Sequence, residues 1–592
     1  MGNEGASRAL KRTFSWVGLT FCIAFCSSVS AWGQAYERYK PLDVPSVPRA
    51  PVDIPTPERP AEGSQDDRVL VGALEAVVIV DDDEKIATDD SIDSLTGIHY
   101  DFVASDSLVY RSEIRNLIEA QIGQPITLRR INQLSRDIID VYRKRKLPIV
   151  DVLIPEQRIT TGTLHLVVIE SRVGRIRVES GDHFRCEETA RWIRCTRRGD
   201  RIYEPYLEND LFWLNQSPFR RVSVDFEKGS CEGTTDIRFL VDDICPLRGY
   251  TGIDDSGVST LNYGRFFAGF QYGNLLGTGA TLGYQYTADE EFRLLQAHSL
   301  SVSQPISRNY TFNLFGSWAG VVPELAGGLG QNGESWQVGS TLIRHFVRRP
   351  DHFRNGTFGW DFKSTNNNLE FDGTTISDSA ADLFQLRMGF DDLVRTDLDQ
   401  FRFFSLEGFV GPGGTSGSHT TTAFNTIRPG TSPHYVYGRL RYDMQKIIAD
   451  DWMLATRFLG QVASERLLFS ETLGLGGFDS IRGTDQRAFN ADHGWIANFE
   501  LGPRTFRWGT PESPKVLRAY GFVDVGNGYI ADPFAGEDAY TFALSTGVGA
   551  RYQLSDRLIA RFDYGFGIED VDAADRNDRA HFGLTWIPGP RL

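Results

Sequence analysis

The sequence predicts α+β domains at the N-terminal side, followed by an all-β transmembrane barrel of about sixteen antiparallel strands. Three observations carry this. An apolar segment near the start has the form of an export signal. Helical periodicity runs to about residue 243 and then gives way to alternation with period two. The alternating segments are rich in aromatics on one face. Composition agrees: among 592 residues there are 59 glycines and 12% aromatics, with 62 Lys+Arg against 78 Asp+Glu for a net charge of −16. An acidic chain lacks the basic footprint of a nucleic-acid binder, so no nucleic-acid partner is expected. A helical membrane bundle is excluded because it needs repeated apolar runs of roughly 20 residues.

Lys11 and Arg12 precede the apolar run Phe14–Phe25, and Val29-Ser30-Ala31 supplies small residues for cleavage. This is a secretory signal over 1–31, with cleavage after Ala35 as a second option. Between Pro41 and Pro60 there are seven prolines, which predict an extended, semi-rigid linker over 32–68.

A first α+β domain is expected over 69–171. Ala73–Val80 reads as a strand, and Ile114, Leu117, Ile118 and Ile122 share a helical face that Gly123 ends. Thr127 caps a second helix with Ile131, Leu134, Ile138 and Tyr142 on one face. Strands follow around Val150–Ile154 and Thr163–Ile169. A second domain, over 172–247, repeats the order: strand Arg175–Val178, helix Tyr206–Leu214, strands Arg221–Phe226 and Ile237–Val241.

Four cysteines fall in that second domain: Cys186, Cys195, Cys231 and Cys245, separated by 8, 35 and 13 residues. In an exported chain an even cluster reads as two disulfides. Zinc is the rival, although no C-x2–4-C pair occurs. Three connectivities are open, and pairing of neighbours is preferred: Cys186–Cys195 and Cys231–Cys245.

From 248 to 592 the segments alternate. Tyr310, Phe312, Leu314 and Trp318 oppose Thr311, Asn313 and Ser317; Leu558, Ala560, Phe562, Tyr564 and Phe566 form another such face. Lipid cannot satisfy backbone groups, so strands cross it only as a closed barrel, apolar outward and polar inward. A soluble β-sandwich also alternates, but aromatic outer faces on an exported chain favour the barrel and an outer-membrane lipid environment. The stretch Gly411–Thr422, rich in Gly, Ser and Thr, reads as a surface loop.

Three motifs resemble those of one family, the outer-membrane transporters of two-partner secretion, or haemolysin secretion/activation proteins, in the outer-membrane-protein-85 superfamily. Pro155 and Gln157, then Gly162, Leu164 and Glu170, resemble the end of a first periplasmic POTRA domain. Leu207 to Asn215, Pro218, Gly229 and Gly233 resemble a second. Gly476-Gly477, Ser480-Ile481-Arg482-Gly483-Thr484, Gly494 and Glu500 resemble the loop, around 474–495, that folds back into the barrels of this superfamily. Gly521-Phe522-Val523-Asp524-Val525-Gly526 resembles the strand facing it. The resemblance implies that Arg482 contacts Asp524 on the inner wall, and alternation leaves Asp524 on the luminal face. Thr484 stands where the family carries an aromatic, which predicts weaker packing at the loop tip. Residues Trp32–Lys40 are short for the helix that plugs barrels of this family.

The resemblance implies a bacterial outer-membrane protein with POTRA domains in the periplasm. It implies export of a large, β-helical secreted partner protein in unfolded form, without ATP. An assembly factor that inserts other barrels is the alternative, and a passive porin would not need recognition domains. No HExxH, GxSxG or Walker motif occurs and the ten histidines lack ligand spacing, so no enzyme activity, cofactor or metal is expected.

Overall fold

The computed structural model describes residues 39–42, 54–55, 66–86 and 95–588, except 103, 158, 160–161, 180, 324–328, 372–373, 398, 450, 511–512, 556 and 570–577. The expected signal segment, and most of the proline-rich linker, lie outside the described residues. The chain divides into two compact units, Val52–Asp243 and a second that starts at Ile244 and includes the described residues Tyr39–Leu42.

The first unit holds two α/β sheets. The earlier sheet has the order Gly97–Asp101, Ala76–Val80, Thr163–Glu170, Val150–Leu153. Its central strand Ala76–Val80 pairs in parallel with Gly97–Asp101 and with Thr163–Glu170, a pattern that needs crossover connections. Helices α1 (Ser112–Glu119) and α2 (Leu128–Lys144) lie in the connection from Gly97–Asp101 to Val150–Leu153. Thr127 caps α2 by accepting the Arg130 N–H at 3.3 Å. Ile114, Ile118, Ile131, Leu134, Ile138 and Tyr142 are buried under the sheet, which is what their helical spacing requires. Strand Gly97–Asp101 has no counterpart in the sequence reading.

The later sheet has the order Arg172–Glu179, Thr234–Asp243, Arg220–Lys228. Two helices, α3 (Cys186–Ala190) and α4 (Glu204–Leu214), connect the first strand to the third. Its buried core, which includes Leu207, Leu211, Leu214, Val222, Ile237 and Phe239, is smaller than that of the earlier domain. Carboxylates make up for this. Asp210, fully buried, accepts the N–H groups of Arg194, Cys195 and Thr196 at 2.8–3.0 Å, and Asp243 accepts those of Asp182, His183 and Phe184.

The disulfide expectation is corrected here. Cys186, Cys195, Cys231 and Cys245 are free thiols, and the Cys195 Sγ lies 3.4 Å from Asn209 Oδ1. Cys231 precedes and Cys245 follows the single strand Thr234–Asp243. An extended strand of that length separates its ends by about 30 Å, against ~4.4–6.8 Å between Cα atoms in a disulfide. Cys231 and Cys245 are therefore at opposite ends of a rigid element.

In the second unit, seventeen strand segments between Leu247 and Trp586 close into an antiparallel barrel in which each pairs with its sequence neighbours. His493–Pro503 and Phe506–Thr510 both pair with Ser513–Tyr529, so they form one interrupted stave and the barrel has sixteen. The first strand, Leu247–Asp254, closes against the last, Asp578–Trp586, over four residue pairs, whereas it pairs with Arg265–Leu275 over eight. Apolar side chains such as Phe312, Leu314, Trp318, Phe358 and Phe562 are exposed on the outside. Gln271, Gln285, Gln337, Asp361 and Gln385 are buried toward the lumen. That inversion of the usual rule is what a lipid-facing wall demands.

Candidate functional site

Between the strands Trp452–Ala463 and His493–Pro503, residues 464–492 fold back into the lumen. A small hairpin of Leu473–Leu475 with Phe489–Ala491 shapes this inward loop, and Arg482 stands at its tip. Gly483 has φ +94°, and a Cβ there would lie 2.8 Å from the Gly565 carbonyl carbon. Glycine is required twice over, for its conformation and for the approach of loop backbone to wall backbone. Gly526 is the matching gap on the next surface: a Cβ there would meet Trp495 O at 2.9 Å and Ile481 Cδ1 at 3.4 Å.

The structure brings Arg482 and Asp524 together. Arg482 Nε and Nη2 donate to the two Asp524 oxygens at 2.8 and 2.7 Å, and the Arg482 backbone N–H adds a third bond at 3.0 Å. Such bidentate pairing is the geometry in which an arginine holds a carboxylate most firmly. Both residues are buried, at 3% and 0% exposure. Arg482 Nη1 also reaches Glu500 at 2.8 Å and Asp563 at 3.2 Å, and Arg518 and Arg551 close the charge balance on those two carboxylates, each at 2.7 Å. Asn498 Nδ2 bridges Ser480 O and Asp524 Oδ1.

Aromatic contact at the tip comes from elsewhere than position 484. The Arg482 guanidinium lies 3.7 Å from the Phe522 ring centroid, and Phe478 sits 3.6 Å from the Arg561 guanidinium. Thr484 instead turns its hydroxyl to Ile481 O at 2.8 Å. Asp563, Arg518, Arg551 and Gly565 were not singled out in the sequence. The alternation of Phe562, Tyr564 and Phe566 outward places Asp563 inward, which was the available signal.

Higher in the same loop, Glu471 is fully buried and bonds Lys363, Gln385 and Tyr437. A further luminal occupant is the N-terminal segment. Leu42 N–H donates to Tyr250 Oη and Leu42 O accepts from Gln271 Nε2, both at 2.8 Å, while Ser299 Oγ donates to Tyr39 O. Residues Tyr39–Leu42 thus lie against the inner wall of the first four barrel strands.

In the α/β region the motif residues act as joints. Gln157 bonds both the N–H and the C=O of His165, at 2.7 and 2.8 Å, and so pins strand Thr163–Glu170 beside the turn that Pro155 opens. Gly162, with φ +83°, accepts the N–H of Glu75 at 2.8 Å, and a Cβ there would crowd Glu75 Cγ at 3.1 Å and Ala73 O at 3.3 Å. Glu170 accepts from Ser107, Leu108 and Tyr142 in the first α/β domain and pairs at 3.0 Å with Arg201 of the second. Burial, with Glu170 beside it, raises the Tyr142 hydroxyl pKa well above its ordinary value.

Two small α/β domains, a sixteen-stave barrel and an arginine-tipped loop locked to its inner wall define an outer-membrane transporter with periplasmic POTRA domains. The description "Haemolysin secretion/activation protein ShlB/FhaC/HecB" matches residues 233–552, and the chain belongs to that family. Residues 95–171 match the ShlB-type POTRA domain. The chain is 23% identical over 500 residues to the heme/hemopexin transporter protein HuxB of Haemophilus influenzae, covering 81% of this chain and 84% of that one. It is 21% identical over 402 residues to the outer membrane transporter CdiB of Escherichia coli, 66% of each chain. Among solved structures, CdiB from Escherichia coli superposes with TM-score 0.58 at 16% identity, covering 91% and 94% of the two chains. BamA from Haemophilus ducreyi lacking POTRA domains 1–3 gives 0.54 at 14% identity, covering 81% and 98%. The chain is a two-partner secretion transporter of the outer membrane.

Proposed function

We propose that the chain recognises one large, β-rich secreted partner in the periplasm and exports it unfolded through the barrel, without ATP. The observation that carries this reading is the open edges of the two POTRA sheets. Among the described strands, Arg220–Lys228 and Val150–Leu153 each pair on one side only. An extended segment of the partner would add to such an edge through main-chain hydrogen bonds. An open groove of about 940 Å³ between the two domains, lined by Lys144, Arg172, Tyr203 and Tyr206 among others, offers side-chain contacts beside it. The Arg482 loop would brace the lumen during passage, and folding of a β-helical partner outside would give transit its direction. Outer-membrane lipid would contact the exposed aromatic band.

The test is a comparison of culture media from cells with and without the chain. One very large protein should vanish with it, and should also vanish when residues 69–243 alone are removed while the barrel still shows heat-modifiable migration.

The short seam between the first and last strands favours a second reading, an assembly factor that opens laterally to insert other barrels. That role predicts loss of several outer-membrane barrels, rather than of one secreted protein, when the chain is deleted.

A further inference from the structure

At the end of the barrel remote from Leu247, three inter-strand segments converge on one carboxylate. They are residues 413–433, 464–492 and 530–539. Asp492 is fully buried. Its Oδ1 accepts from Arg428 Nη1 at 2.6 Å and from the Leu467 N–H at 3.0 Å. Its Oδ2 accepts from Arg428 Nη2 at 3.1 Å and from the Ala531 N–H at 3.0 Å. Each of the three segments thus contributes a donor to the same group, and none of those donors belongs to a barrel strand.

The geometry around Arg428 shows how the cap is built. Helix α5 (Thr421–Ile427), capped by Thr420, delivers Arg428 at its end. Phe424 of that helix is fully buried against luminal Phe409, Tyr435 and Tyr437 and against Leu467 and Leu468. Arg428 also donates to Leu467 O at 2.5 Å and lies 5.0 Å from the Phe469 ring centroid. Arg466 pairs with Glu537 and lies 5.0 Å from the Phe534 ring centroid, a second tie between 464–492 and 530–539. A segment that reads as a surface loop is therefore folded down over the mouth.

We propose that Asp492 is the latch of a surface-side lid. Residues 413–433 close the mouth at rest and swing out, Arg428 leaving Asp492, when a polypeptide is exported; this last clause rests on the export reading above. A buried carboxylate that loses its arginine is costly, so the closed state is held firmly until an incoming chain competes for the same space. The side-chain bonds of Asp492 can be released without unpairing a barrel strand, while its backbone stays tied to the wall through Tyr529 O and Gln461 Nε2.

Phe424 supplies the reporter, since it is fully buried at rest and chymotrypsin cuts after phenylalanine only where the backbone is accessible. Intact cells carrying the full chain are treated with external chymotrypsin and the fragments are sized. The wild type should resist cleavage after Phe424, and Asp492→Ala should be cut there at least tenfold faster, at unchanged heat-modifiability. Asp492→Asn, which keeps the shape and removes the charge, covers the case in which the alanine variant does not fold. Equal protection of a folded Asp492→Asn and the wild type would overturn the latch, and so would rapid cleavage of the wild type.

The swing is tested separately. Gly430→Cys with Phe534→Cys, in a chain whose other mature cysteines are serine, is joined by a short reducible bis-thiol reagent. The probe is the protein that disappears from the medium when the chain is deleted. Its secretion should stop on cross-linking and resume on reduction. Continued secretion through a cross-linked lid would overturn the gate. If no protein disappears on deletion, the export reading fails, and the chymotrypsin result still decides the latch.

Discussion

The inward segment 464–492 takes part in two buried arginine–aspartate pairs, Arg482 with Asp524 and Asp492 with Arg428, and they differ in where the partner stands. Every carboxylate around Arg482 belongs to a barrel stave: Asp524, Glu500 and Asp563 lie on three strands of one continuous sheet. The partners that hold Arg428 and Asp492 lie in inter-strand segments. A charge cluster on staves cannot loosen without distorting the barrel, whereas one between loops can part and re-form. The first arrangement is a brace and the second a catch.

The largest expected effect comes from removing the brace. Arg482→Ala leaves Asp524 buried without its cation, a loss of about 3–5 kcal/mol by the usual cost of breaking a buried pair. Secretion should fall more than tenfold while the barrel still inserts, read from the culture medium and from heat-modifiable migration. Gly483→Val comes next. It forces a side chain into a left-handed backbone position facing Gly565, and it should reduce secretion severalfold with Arg482 still present. Gly565→Val should copy it from the wall side. If only one of the two variants is impaired, the backbone contact is not what holds the tip.

Smaller effects are expected in the POTRA domains, where stability rather than position is at stake. Asp210→Ala strips three buried N–H groups of their acceptor and should destabilise the second domain by about 2–3 kcal/mol. Thermal unfolding of a Val52–Asp243 fragment measures it. Gln157→Leu removes two bonds to His165 and should cost the first domain about 1–2 kcal/mol in the same assay. Alkylation of native protein without reduction should modify Cys186, Cys195, Cys231 and Cys245. Protection of any pair would show a bond that the free thiols of the structure do not have.

The barrel was legible because its physical cause is written along each strand: lipid on one side and water on the other impose period two. Pairing across strands is not written there. Asp524 was legible from a motif and its alternation, but Glu500, Asp563, Arg518 and Arg551 meet only because of inter-strand register, which no single segment carries. Helix α5 was missed because Phe424 and Ile427 are the only large apolar residues in its seven, too few to set a helical period. Strand Gly97–Asp101 is short and carries one aliphatic residue, so alternation had nothing to register. The cysteines misled for a related reason. Thirteen residues between Cys231 and Cys245 look close in sequence, yet ten of them form one extended strand.

The central claim is that Arg482 and Asp524 act as one unit on the inner wall. Secretion measured across the cycle of Arg482→Ala, Asp524→Asn and the double variant tests it most directly. Because Arg482→Ala does its damage by stranding the Asp524 charge, neutralising Asp524 as well should make the double variant no worse than Arg482→Ala alone, and somewhat better. Losses that add, with the double variant falling below both singles by the product of their effects, would contradict the account.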